Sequence, residues 1–138
     1  VLNELEKYNT AIKYFTLAID LDPDYSLAYR GRGVSYDWKK MPKAALNNYL
    51  KAIELDPEDS KAYEYAADAL IWLEQWEEAI TYSNDAISLD PSNGGAYYSR
   101  GTAYSWLDDY RNSCNSYKLA KKNGYEKDVE EQIDIHCD

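Results

Sequence analysis

Catalysis in a protein chain usually rests on a group that titrates near neutrality, a nucleophile held beside it, or a metal. The 138-residue sequence holds one histidine, His136, near the end where helices fray, and no partner for it is evident. It reads as a partly exposed residue on a terminal helix. The carboxylates Glu77, Glu78, Asp108 and Asp109 stand where helices should start or loops should turn, favourable beside the positive end of a helix, and read as solvated surface. Cys114 and Cys137 lie too far apart for a CxxC redox or zinc pattern, so neither a structural metal nor a cofactor is expected. Cys114 falls on the inward stripe of its helix as a small apolar residue, and Cys137 lies four residues beyond Ile133 on the same face. A bridge between the two is open, but free thiols are the expectation, because two cysteines alone do not identify an oxidising compartment. An enzyme is therefore not expected.

The remaining chemistry is that of surfaces. Lys and Arg number 15 against 25 Asp and Glu, a formal charge of -10, so a phosphate backbone would be repelled and nucleic acid is excluded as a partner. No apolar run approaches the ~20 residues that span a bilayer, which excludes membrane insertion. The chain reads as soluble, with the cytoplasm as the default setting. Tyr 15 and Trp 4 stand against Phe 1 and Met 1, so aromatics with a polar edge do much of the packing.

The elements that position these residues follow from a repeat. Leu21-Asp22-Pro23, Leu55-Asp56-Pro57 and Leu89-Asp90-Pro91 recur every 34 residues, as do Ala18-Ile19, Ala52-Ile53 and Ala86-Ile87, then Tyr29, Tyr63 and Tyr97, then Trp38, Trp72 and Trp106. Complete units are expected at 26–59, 60–93 and 94–127, after a partial unit at 1–25 and before a covering helix at 128–138. Within a unit, Tyr63, Ala66, Ala67, Leu70 and Leu73 mark one amphipathic helix and Ala79, Ile80, Ala86 and Ile87 a second. First helices are predicted near 27–39, 61–73 and 95–107, second helices near 8–21, 43–55, 77–89 and 111–122. Val129 and Ile133, one turn apart, suit the terminal segment to covering the last pair.

Tyr29-x2-Arg32-Gly33-x2-Tyr36 with Ala45-x3-Tyr49, Ala52 and Pro57, and again Tyr97-x2-Arg100-Gly101-x2-Tyr104 with Ser113-x3-Tyr117 and Ala120, resemble the tetratricopeptide repeat. Residues 60–93 follow the pattern more loosely, and Ala11-x3-Phe15, Ala18 and Pro23 carry it in the first segment. The resemblance implies an all-α, right-handed superhelical stack of antiparallel helix pairs, a single domain whose first helices line a concave groove. It also implies a protein-interaction module, an adaptor or scaffold that binds a peptide or partner segment. Two other roles are kept beside it. One is self-assembly into a homo-oligomer through the repeat end at 1–25, where most of a first helix is missing and Ile12 and Phe15 are less covered. The other is an accessory region of a larger enzyme, since a chain opening at Val1 in mid-repeat reads as a fragment.

One subclass of the family clamps acidic chaperone tails with Lys, Asn and Arg. The corresponding positions here hold Arg30, Val34, Tyr65, Gly95 and Ser99, so no clamp is expected. Trp38, Trp72 and Trp106 stand where the family pattern reserves no large aromatic, roughly 200° around their helices from Tyr36, Leu70 and Tyr104. That outward stripe gives the expected groove: Leu27, Arg30, Val34 and Trp38, then Lys61, Glu64, Tyr65, Asp68 and Trp72, then Tyr98, Thr102 and Trp106. Each indole is open to two readings that do not exclude each other, an anchor for a ligand or packing on an adjacent helix or loop. An apolar or aromatic-bearing segment suits such a ladder better than a highly acidic one.

Overall fold

Recurring helix-stop motifs divide the chain into short antiparallel helices, and a computed structural model describes residues 2–137 as eight of them with no strand. They are α1 (Leu2–Leu21), α2 (Ser26–Trp38), α3 (Pro42–Leu55), α4 (Ser60–Trp72), α5 (Trp76–Leu89), α6 (Gly94–Trp106), α7 (Tyr110–Lys122) and α8 (Val129–His136). Val1 and Asp138, the outer ends of the 1–25 and 128–138 segments, lie outside the described residues. Most helix ends fall within one residue of the sequence expectation. The exception is α1, which starts at Leu2 rather than near residue 8. Residues 2–7 contain no breaker, and the Tyr8 hydroxyl bonds Glu4 one turn back at 3.3 Å, so the helix simply continues.

The Leu-Asp-Pro motif earns its period from turn chemistry. Asp22, Asp56 and Asp90 each accept a bond from the backbone N–H two residues on, at 3.2, 3.2 and 3.0 Å, while the adjoining proline ends the helix. Asp59, Asn93 and Asp109 then cap α4, α6 and α7 through their side chains. Between the helices of each pair the stop is different. Lys40, Glu74 and Asp108 take the left-handed conformation, with φ near 60°, and the next N–H, of Met41, Gln75 or Asp109, reaches back to the carbonyl of Tyr36, Leu70 or Tyr104 at 2.9–3.0 Å.

Close packing of the pairs depends on small residues. Ala45, Ala52, Ala62, Ala66, Ala79, Ala86, Ala96, Ala103 and Ala120 are wholly buried at the helix contacts. Gly33 and Gly101 receive the faces of Tyr49 and Tyr117: a methyl group on either would lie 2.5 or 2.9 Å from the ring. The middle unit solves the same contact differently, with Ala67 and Ser83 at the equivalent places. Arg32 and Arg100, which stand where the repeat pattern has leucine, each span two second helices. Arg32 bonds Asn48 on α3 and Thr16 on α1, and Arg100 bonds Ser116 on α7 and Asn84 on α5.

The two ends differ. On α1, Ala11, Phe15 and Ala18 are only half-buried, whereas their equivalents Ala45, Tyr49 and Ala52 are completely covered, and Tyr14, Leu17 and Leu21 stay exposed along one face. At the other end α8 buries Val129 against Tyr97, Tyr117 and Ala120. A disulfide between Cys114 and Cys137 fastens it, which corrects the expectation of free thiols. The fold-back of α8 brings the two Cα atoms to 5.1 Å, a proximity that 23 residues of separation do not reveal.

Candidate peptide-binding groove

The outward faces of α2, α4 and α6 meet in a concave cavity of about 700 Å³. It brings together Trp38, Asp68, Trp72, Tyr98, Thr102 and Trp106 from the expected stripe, with Ser99 beside them. Its wall also includes Asp37, Lys40, Ile71, Glu74, Trp76 and Lys127, which the stripe did not contain.

The three recurring tryptophans are 58%, 71% and 63% exposed in chain order, so none is a core residue. Each nevertheless has a neighbour in the preceding unit. Trp38 stacks on Tyr8, with ring centroids 5.8 Å apart and planes 3° from parallel, and Trp106 stacks on Trp76 at 5.1 Å and 8°. Trp72 shares a small hollow with Pro42 and carries the Lys40 ammonium 5.7 Å above its ring. Tyr8, Pro42 and Trp76 are themselves 34 residues apart. Thus each indole has a neighbour at one recurring position of the second helices, Tyr8, Pro42 or Trp76, and remains open to the groove. Packing and exposure coexist.

The cavity wall is apolar in its aromatics and acidic between them. Asp68 accepts a bond from the Ser99 hydroxyl, and its carboxyl is pushed up to about 7, first by burial and then by the neighbouring Glu64 and Asp37 charges, against the opposing pull of Ser99 and Lys61. Asp37 accepts from the Tyr49 hydroxyl and is pushed up to about 6 by burial, which the Tyr49 bond and Lys40 only partly offset. Tyr98 is raised to about 12, mainly by burial, so its phenol remains a hydrogen-bond donor at neutral pH.

The rest of the expected stripe stands outside the cavity lining. Arg30 gives its guanidinium to both oxygens of Asp59 at 2.6 and 2.7 Å, which ties α2 to the cap of α4. Val34 and Tyr65 pack on the cluster formed by Ala45, Tyr49, Ala66 and Ala69. Lys61 pairs with Glu64 at 3.1 Å, and the Glu64 carboxylate is buried against Gly95. Leu27 is exposed near the start of α2.

His136 has partners that the sequence did not disclose. Its Nε2 lies 2.8 Å from Ser105 Oγ and its Nδ1 lies 2.9 Å from the Gln132 carbonyl, while Tyr110 and Tyr117 flank the ring. The Gln132 carbonyl can only accept, so Nδ1 donates to it, and in the neutral tautomer that this selects Ser105 donates to Nε2. Neither residue lines the groove, and the contact serves to hold α8 against α6.

A family model for the tetratricopeptide repeat matches residues 1–25. No curated protein matches the chain. Among solved structures, MamA superposes with a TM-score of 0.84 at 20% identity, over 94% of this chain and 76% of that one. The Arabidopsis OM64 TPR domain gives 0.78 at 24% identity, over 81% and 93%. The first TPR of Spaghetti (RPAP3), bound to the HSP90 peptide SRMEEVD, gives 0.76 at 21% identity, over 80% and 88%. The chain thus shares the fold of these structures, an all-α, right-handed superhelical stack of antiparallel helix pairs, and its first 25 residues match the tetratricopeptide repeat model.

Proposed function

We propose that the chain is a protein-interaction module that holds an extended segment of a partner in the groove, as an adaptor or scaffold. The observation that carries this reading is the set of exposed indoles, Trp38, Trp72 and Trp106, braced around one 700 Å³ cavity. Rigid aromatics that lose little entropy on binding are the usual anchors of such contacts. An acidic tail of the kind held by the Spaghetti domain is a poor candidate, because Arg30 is committed to Asp59 and the groove presents Asp37 and Asp68. Random peptides displayed on phage and selected on the protein would supply a ligand. Trp72→Ala should then weaken it by about 2 kcal/mol with little change in melting temperature. Unchanged affinity together with a sharply lower melting temperature would make the tryptophans structural and end this reading.

A second reading, self-association through α1, draws on its exposed Tyr14, Leu17 and Leu21. Light scattering distinguishes it: a dimer dispersed by Leu17→Glu supports it, and a monomer at all concentrations removes it.

A further inference from the structure

We infer that the groove receives an arginine or lysine side chain of the partner segment, with its aliphatic stem against the indoles and its charge on Asp68 and Asp37. This deepens the groove reading and rests on it. The first support is unspent hydrogen-bonding capacity. Each of the two carboxylates accepts one hydroxyl bond, from Ser99 or Tyr49, and neither has a cation partner among the described residues. Among the described residues the ion pairs are Arg30–Asp59, Lys51–Glu54, Lys61–Glu64 and Lys121–Glu130, and none reaches Asp37 or Asp68.

The second support is the company these carboxylates keep. Indole faces attract cations more strongly than other aromatic rings, and a guanidinium can stack on one while its edge bonds a carboxylate. The chain already shows the first half of that arrangement, with Lys40 held over Trp72. Lys40 and Lys127 at the wall are opposed by Glu74, so with Asp37 and Asp68 the lining carries an acidic excess, in a chain of charge -10. The raised proton affinity of both aspartates agrees: burial has removed water from them, and the nearby lysines do not make up the loss. A cation from the partner would.

The test uses the whole chain and short peptide mixtures, blocked at both ends and randomised over uncharged residues, with a fixed centre of arginine, lysine, citrulline, leucine or glutamate. Tryptophan fluorescence reports binding. The arginine and lysine mixtures should bind at least roughly tenfold more tightly than the citrulline, leucine and glutamate mixtures, a margin of about 1.4 kcal/mol. That margin should shrink with salt and be lost in Asp68→Asn and Asp37→Asn, both checked for an unchanged helical spectrum. Citrulline or leucine binding as well as arginine overturns the inference. If that binding is also lost in Trp72→Ala, the groove reading survives alone, and if no mixture binds, both readings fall.

Discussion

Trp106, at the end of α6, lies flat on Trp76, at the start of α5, and the pair joins two units across the groove wall. Aromatic pairs of this kind contribute about 0.5–1.5 kcal/mol beyond burial. Trp76→Ala should therefore cost about 1 kcal/mol in urea denaturation and release Trp106 into the groove. Near-ultraviolet circular dichroism checks the second effect. The stacked indoles should give a coupled signal that disappears in the variant, and a spectrum that loses only one chromophore's share would show that the pair is not formed in solution.

Gly33 and Tyr49 occupy one contact, and a methyl group at 33 meets the ring at 2.5 Å. Gly33→Ala should destabilise the protein by about 1–3 kcal/mol, the usual cost of overpacking. Combining it with Tyr49→Ser, the residue type at the equivalent Ser83, should recover part of the loss from crowding. A double-mutant cycle measures this, and additive effects would mean that the tyrosine yields without resistance.

Asp68 gives stability its own pH dependence. Its folded carboxyl holds a proton up to about pH 7, whereas the unfolded one releases it near the ordinary 3.8, so in this interval the folded state binds more protons. Stability from this group is complete below about pH 4 and is lost as pH rises through about 7. A decade of proton affinity is about 1.4 kcal/mol, which sets a ceiling near 4 kcal/mol, and access to groove water reduces it to roughly 1–2 kcal/mol. Asp68→Asn should leave the acid-side stability nearly unchanged and gain that amount by about pH 8. Parallel pH profiles for the two proteins would show that Asp68 ionises as it does in water.

The disulfide between Cys114 and Cys137 restrains a loop whose closure entropy is about 3 kcal/mol. Without reductant, the denatured monomer should show no titratable thiol. Reduction should lower the global unfolding free energy by up to that amount. Hydrogen exchange should then rise first in α8, and uniform acceleration along the chain would contradict a local fastening role.

What was legible in the sequence was whatever the 34-residue period repeats. The Leu-Asp-Pro turns, the buried alanines and the three outward tryptophans each recur in register, because every unit must meet its neighbour in the same way. Single departures from the period were not legible. Asp37 reaches the groove, yet its register mates are Ile71 and Ser105, so no pattern marked it. Trp76 did have a signal, since Tyr8 and Pro42 precede it at the same interval and brace the same ladder. Arg30 and Glu64 lie on the outward stripe but outside the cavity lining, because each turns to a partner within the stack, and sequence spacing does not reveal such partners. The Ser105–His136 contact and the disulfide depend on where α8 folds back, which no repeat encodes.

The left-handed turns at Lys40, Glu74 and Asp108 set stability and recognition against each other. A residue with a Cβ pays about 1 kcal/mol to hold that conformation, and glycine would remove most of the cost. Lys40 and Glu74 stand in the groove wall, so glycine there would harden the scaffold while erasing charges from the proposed binding surface. Asp108 lies outside the groove lining. Of these three backbone positions under the same strain, only that one can be relaxed without altering the groove wall, and an engineer seeking heat resistance in this stack would begin there.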